Sequence, residues 1–190
     1  MNLPNKLTIS RLLLTVAFLV VVFCNFYLSN TVALLLFSVA SITDYFDGKI
    51  ARRDKTITNF GTLMDPLADK ILTCSAFIAF VGRDQMPAWM VVIIVARELA
   101  ITGLRLLAAS KQVVLAAEGY GKHKTISQIV AILSILVLIS YPEWGKWTQV
   151  TFDWWVPLFA QLSKCVAVLL TLTSGMFYLW RNRGLYLQDL

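Results

Sequence analysis

Four aspartates, Asp44, Asp47, Asp65 and Asp69, fall within the stretch SITDYFDGKIARRDKTITNFGTLMDPLADK, residues 41–70. The first two stand three apart and the last two four apart, so each pair lies on one face of a helix. Four bare carboxylates gathered at one site repel, and each raises the pKa of its neighbours unless cations neutralise them. Hard divalent ions with oxygen ligands, Mg²⁺ or Mn²⁺, answer that need, and a set of four carboxylates suits a pair of ions. Gly48, Ala51 and Gly61 provide small residues where a ligand can approach the backbone, and Arg52 adds a guanidinium fork for phosphate oxygens. The chemistry these types point to is that of a pyrophosphate at a membrane surface.

The elements that must position these residues are membrane spans. Of the 190 residues 58% are hydrophobic and 15% charged, and the apolar residues come in long uncharged runs. That is the pattern of an integral membrane protein, and the length suits one domain over residues 1–190. About six spans are expected. The first is RLLLTVAFLVVVFCNFYLS, residues 11–29, with Asn5 or Thr8 as its cap and Pro4 ahead. Its charged start and apolar core imitate a signal peptide, but the run is long enough to span and no clean cleavage site follows it, so a first membrane helix is expected. A second helix follows a turn at Ser29-Asn30 and runs through Asp44 and Asp47 to about Arg53. A third starts near residues 60–65, with Pro66 in its first turn, and reaches about Val81. The fourth runs from Pro87 to Ser110, the fifth from about Thr125 to Ser140, and the sixth from about Val156 to Trp180. A tryptophan-rich link, YPEWGKWTQVTFDWW, joins the last two and suits a membrane–water interface.

The loop charges orient this bundle. Lys6 with Arg11, then Lys49, Arg52, Arg53 and Lys55, then Lys111, Lys122 and Lys124, then Arg181 with Arg183 all fall on one side. The other side carries Arg83 and Lys146. By the positive-inside rule both termini and the aspartates face the cytoplasm. The net charge of +6 thus reads as topology and anion binding. No basic stripe lies on a soluble face, which argues against nucleic acid as a partner. Cys24, Cys74 and Cys165 are far apart inside apolar runs and read as buried free thiols.

A lone aspartate near a helix end is commonly a cap or a solvated terminus, and that reading covers Asp65 or Asp44 taken singly. It does not cover four at helical spacing with glycines between, since carboxylates in or beside membrane spans are costly and functional by default. Arg97, Glu98 and Arg105 lie inside the fourth run. Arg97 and Glu98 are sequence neighbours that project differently, so they are not assumed to pair with each other. Each has two readings: an ion pair with another span, or, for the arginines, part of a phosphate site. Lys122 and Lys124 likewise read as positive-inside anchors or as phosphate ligands. Lys70 is expected to pair with a carboxylate or to snorkel.

The stretch fits D-x2-D-G-x2-A-R-x8-G-x3-D-x3-D without departure, at Asp44, Asp47, Gly48, Ala51, Arg52, Gly61, Asp65 and Asp69. This resembles the signature of the CDP-alcohol phosphotransferase family. The segments LPNKLTISR, ARELAITGLR and GKHKTISQ resemble the branch of that family that uses glycerol 3-phosphate. The likeness covers most of the chain and weakens in the 141–155 link and at the C-terminus.

The resemblance implies transfer of a phosphatidyl group from CDP-diacylglycerol to sn-glycerol 3-phosphate in phospholipid biosynthesis, releasing CMP. It implies metal binding by Asp44, Asp47 and Asp65, with Asp69 facing a metal and serving as the base. Gly48, Ala51, Arg52 and Gly61 would lie against the CDP moiety, with Asn5, Thr8 and Thr43 around the nucleotide. Arg97, Arg105, Lys122 and Lys124 would receive the acceptor phosphate. It further implies a homodimer in a bacterial cytoplasmic membrane. The fold expected is therefore an all-α membrane bundle of about six spans with a cytosol-facing polar metal site.

Three rivals differ in testable ways. Other acceptors, inositol phosphate, serine or a lipid, would share the metal motif. Intramembrane prenyltransferases would release inorganic pyrophosphate rather than CMP. A divalent-cation transporter would move metal without consuming nucleotide, and would leave the Gly-x2-Ala-Arg segment without a task. The charge bias makes a topological prediction. Single cysteines at Lys55 and Asp84, in a background lacking the three native thiols, should react with impermeant reagent from opposite faces of the membrane; reaction from one face only breaks the six-span reading.

Overall fold

The computed structural model describes the backbone of residues 3–54, 59–111 and 120–184, and the side chains of residues 9–43, 70–109, 111 and 123–184. Every regular element among the described residues is helical: α1 (Leu3–Phe23), α2 (Ser29–Asp54), α3 (Asn59–Gly82), α4 (Ala88–Ser110) and α5 (Tyr120–Ser140). A single 3-10 turn, Tyr141–Trp144, and a short α6 (Lys146–Phe152) then lead into α7 (Val156–Arg181). At 1.5 Å per residue the 21 residues of α1 extend about 30 Å, the thickness of a hydrocarbon layer. Two stretches among the described residues, His123–Trp144 and Val156–Arg181, are both long and apolar enough to cross a membrane. Ile9–Phe23, Ser29–Thr43 and Lys70–Gly82 are shorter apolar helices.

The helices pack by an inside-out rule. On α7 the buried stripe is small or polar for most of its length: Ala160, Ser163, Lys164, Ala167, Thr171 and Gly175, closing on Tyr178. Its exposed positions are large and apolar, among them Leu158, Leu162, Leu169, Met176, Phe177 and Trp180. That distribution is the one that packing in lipid favours, where large apolar side chains can face hydrocarbon and small inward residues let helix backbones close on one another. Ala33 and Ala40 on α2, Ala76 and Ala79 on α3, and Ala131 on α5 repeat the inward pattern around Phe18, Phe37, Phe77, Phe80 and Ile132. Phe18 and Phe37 meet with ring centroids 5.6 Å apart, joining α1 to α2. α1 packs on α2 and α3, α5 on α2 and α7, and α4 on α3 and α7.

Helix ends differ from the sequence expectation where local chemistry is ambiguous. α1 begins at Leu3, ahead of Asn5 and Thr8, so neither residue is its cap. The first turn falls at residues 24–28 instead of Ser29-Asn30, because Leu28 takes a left-handed φ of 67° and its carbonyl already accepts from Val32 N at 2.9 Å. α3 starts at Asn59, so Pro66 sits inside the helix, where it cannot donate to the carbonyl of Thr62. α5 starts at Tyr120, which places Lys122 and Lys124 on the helix instead of in a loop. The thiols are free, but Cys24 is exposed and Cys74 and Cys165 are half-buried, a correction to the expected burial: Cys24 lies just past the end of α1, outside the packed bundle.

At the end where α2 begins, one carboxylate serves as a cap from far away in sequence. Glu143 Oε1 accepts from Asn30 N at 3.1 Å and Asn30 Nδ2 at 2.8 Å. Its Oε2 accepts from Thr31 N at 2.9 Å and Thr31 Oγ1 at 2.7 Å. Backbone donors that a helix N-terminus leaves orphaned are satisfied by a residue 113 positions on, and the anion sits at the positive end of the helix dipole. Arg83 Nη1 donates to Asn30 Oδ1 at 2.6 Å, and Trp144 Nε1 to Thr31 Oγ1 at 2.8 Å. Gly145, with φ of 109°, makes the turn that a side chain would strain. Glu143→Ala should lower the free energy of unfolding in detergent by about 2 kcal/mol, from a lost cap and charge-assisted hydrogen bonds. A thermal or denaturant melt unchanged from wild type would contradict this account.

Candidate functional site

Both aspartate pairs lie on helical backbone, Asp44 and Asp47 in the C-terminal half of α2, Asp65 and Asp69 in the N-terminal half of α3. Their side chains, with those of Asn5, Thr8, Gly48, Ala51, Arg52, Gly61 and Lys122, lie outside the described residues. Among the described residues no group of three or more His, Cys, Asp or Glu side chains converges as a metal site. Thr43 is half-buried on α2, one position before Asp44.

The described side chains at this end of the bundle meet on Glu98. It is 2% exposed in the middle of α4, and cations from three helices reach it. Lys70 of α3 is paired with its Oε2, and Lys124 of α5 with its Oε1. Arg97 of α4 reaches Oε1 through Nη1 at 3.3 Å, although it is the preceding residue, because its long stem folds back along α7. The pairing that spacing alone did not license is thus made by the reach of the arginine. Gln128 Nε2 of α5 donates to Oε1 at 3.4 Å and to Thr171 Oγ1 of α7 at 3.0 Å. The second nitrogen of the Arg97 fork, Nη2, donates to Ser174 Oγ at 3.2 Å. One carboxylate therefore ties α3, α4 and α5 directly and α7 through two polar relays.

The local packing is built for the arginine. A Cβ on Gly175 would come within 2.8 Å of Arg97 Cγ, so a glycine is needed for the stem to lie against α7. Arg105, about 12 Å further along α4, is held apart from the Glu98 cluster. Its Nε donates to Tyr178 Oη at 3.3 Å, and its guanidinium carbon stands 5.6 Å from the Tyr178 ring centroid. His123, next to Lys124, is exposed.

The structure thus brings together two of the cations proposed for a phosphate, Arg97 and Lys124. It adds Lys70, and leaves Arg105 on a separate support. Glu98, Gln128, Thr171, Ser174 and Gly175 had no place in the site as read from the sequence. For Glu98 the signal was present: an acid inside a span demands a partner. For Gly175 there was none, since the need arises only where α4 crosses α7. Among the described residues the cluster holds three cations against one carboxylate. That is a surplus of two positive charges, which an anion can balance.

Because three cations share Glu98, its loss should cost more stability than the loss of any one of them. Glu98→Leu strands three buried or half-buried cations and should cost about 3 kcal/mol or more, whereas Lys124→Met leaves Glu98 with Lys70, Arg97 and Gln128 and should cost markedly less. Comparable melts for the two variants would refute the hub.

The family model of the CDP-alcohol phosphatidyltransferases matches residues 1–179. A Bacillus subtilis (strain 168) protein named CDP-diacylglycerol–glycerol-3-phosphate 3-phosphatidyltransferase is 38% identical, with 95% of each chain covered. A Salmonella paratyphi A protein of the same name is 34% identical over 96% of each chain. A Mycobacterium tuberculosis protein named probable phosphatidylglycerophosphate synthase is 36% identical, over 95% of this chain and 81% of its own.

Proposed function

The chain belongs to the CDP-alcohol phosphatidyltransferase family, and on that premise we infer that it transfers the phosphatidyl group of CDP-diacylglycerol to sn-glycerol 3-phosphate, giving phosphatidylglycerophosphate and CMP. The observation that carries this reading is the near full-length likeness to proteins named for that transfer, joined to the unbroken eight-residue motif between Asp44 and Asp69.

Asp44, Asp47, Asp65 and Asp69 form an all-oxygen donor set on two helices, which fits two Mg²⁺ or Mn²⁺ ions. When bound, such ions polarise phosphoryl oxygens and neutralise charge on the leaving group. Asp69 takes the proton of the acceptor hydroxyl as that oxygen bonds to the phosphorus carrying diacylglycerol. The bond from this phosphorus to the bridging oxygen breaks, and CMP leaves with the electron pair. Arg52 supplies a fork to the diphosphate, while Gly48, Ala51 and Gly61 leave room for CDP against the backbone. Asn5, Thr8 and Thr43 complete the nucleotide pocket; α1 starting ahead of Asn5 and Thr8 frees both from the competing task of capping. Arg97, Arg105, Lys122 and Lys124 receive the acceptor phosphate, a role favoured by the surplus positive charge beside Glu98.

The same reading takes residues 1–190 as one transmembrane catalytic domain. It has six crossings, both termini and the metal site on the cytosolic side of a bacterial inner membrane, and two copies per assembly. A lipid donor and a water-soluble acceptor require a site at that boundary. The inside-out packing of α7 supports immersion in lipid.

An acceptor panel decides the substrate: purified protein with CDP-diacylglycerol and Mg²⁺ should release CMP with glycerol 3-phosphate and not with serine, inositol phosphate or choline. Preference for any of these others would reassign the acceptor. Asp69→Asn keeps size and loses basicity, so turnover should fall about 100-fold or more while donor binding persists. Turnover near wild type at saturating metal would exclude Asp69 as the base.

A further inference from the structure

Three long basic side chains from three helices do not converge unaided. Each loses rotamer freedom when held in one place, and like charges spread when nothing draws them together. Here a single buried carboxylate draws them in. Lys70 and Lys124 sit on opposite oxygens of Glu98, and one arm of the Arg97 fork shares Oε1. Glu98 is itself fixed by Gln128, which is anchored to Thr171. An ammonium has three N–H donors, and contact with one carboxylate oxygen engages one of them. Lys70 is the most exposed member, at 25% for its side chain against 5% for Lys124 and 3% for Glu98. The cluster therefore opens on the α3 side, and Lys70 directly follows Asp69 in that helix.

We propose that Glu98 is the positioning residue of the acceptor-phosphate site, holding Lys70, Arg97 and Lys124 as one preorganised receptor for a phosphate dianion, with Lys70 its most exposed member. The inference rests on the functional reading above, because it takes that dianion to be the acceptor's. Glu98 touches neither substrate nor metal in this role; it acts through the cations. Glycerol 3-phosphate binds where those cations have already been gathered, so it does not bear the cost of collecting them.

The sign of one kinetic effect separates positioning from simple charge balance. Glu98→Gln keeps shape and one acceptor oxygen but deletes a negative charge. If Glu98 only offset the cations, its loss would strengthen attraction for a dianion and lower the KM for glycerol 3-phosphate. If it positions them, that KM should rise tenfold or more while the KM for CDP-diacylglycerol stays within about twofold. Glu98→Asp, with the charge retained on a shorter arm, should recover part of the loss. An unchanged or lowered glycerol 3-phosphate KM in monodisperse Glu98→Gln protein overturns the proposal.

Should that variant fail to fold, Gln128→Met and Gly175→Ala carry the test. The first releases Glu98 from Thr171, and the second pushes the Arg97 stem away from α7. Each should raise the KM for glycerol 3-phosphate selectively, and wild-type constants in both would overturn the proposal equally. Calorimetric binding of glycerol 3-phosphate without donor separates the anion receptor from the transfer reaction. Binding by wild type that Glu98→Gln loses, with no CMP release by either, rejects the transfer reading and keeps the anion receptor. CMP release with undiminished glycerol 3-phosphate affinity in Glu98→Gln keeps the transfer reading and rejects the receptor.

Discussion

The carboxylate of Glu98 is the interaction on which one end of the bundle depends. A single acid 2% exposed within α4 cannot remain ionised in a low-dielectric interior without partners, and here it draws them from α3, its own helix and α5. Desolvation of each ion is offset because the partners arrive together, and Gln128 and Thr171 satisfy what remains. Apolar packing alone would leave the helices free to slide; a shared charge gives their crossing a fixed register. The same contact gathers Lys70, Arg97 and Lys124 around one acid, with Lys70 on the helix that carries Asp65 and Asp69.

The opposite end is held by a different device with the same logic. Glu143 accepts four hydrogen bonds from Asn30 and Thr31, and Arg83 joins through Asn30. Between these two polar knots the helices are joined by small residues and interleaved phenylalanines, and they present their large apolar side chains outward. Lys164 follows the rule as well: though buried on α7, it donates to the Gln85 carbonyl at 3.1 Å, in the loop ahead of α4. Polar groups in such a bundle are satisfied internally or carried to an end, because hydrocarbon offers no partner.

This division explains which expectations were met. Long apolar runs signal the long helices in the sequence, but not their ends: α1 stops at Phe23 and not at Ser29. Boundaries failed where two local signals competed. Asn5 and Thr8 resemble caps, yet α1 begins before them; Pro66 resembles a first-turn proline, yet α3 begins seven residues earlier. The Tyr141–Trp155 link reads as an aromatic interfacial segment, and the structure adds that it folds into a 3-10 turn and a short helix whose Glu143 caps α2.

What the sequence by itself determined was the family and a motif to go with it: eight residues at fixed gaps, four of them carboxylates on helical backbone. Those features are local in the chain, so spacing alone reveals them. Only the tertiary structure decided how the basic residues are used. Arg97, Arg105, Lys122 and Lys124 look equivalent as a list of cations. Packing seats Arg97 and Lys124 on Glu98, recruits Lys70, sets Arg105 on Tyr178, and requires a glycine at 175 for the Arg97 stem. The partner of a buried charge is whichever residue the crossing helices bring within a few ångströms, and that proximity has no trace in one-dimensional spacing.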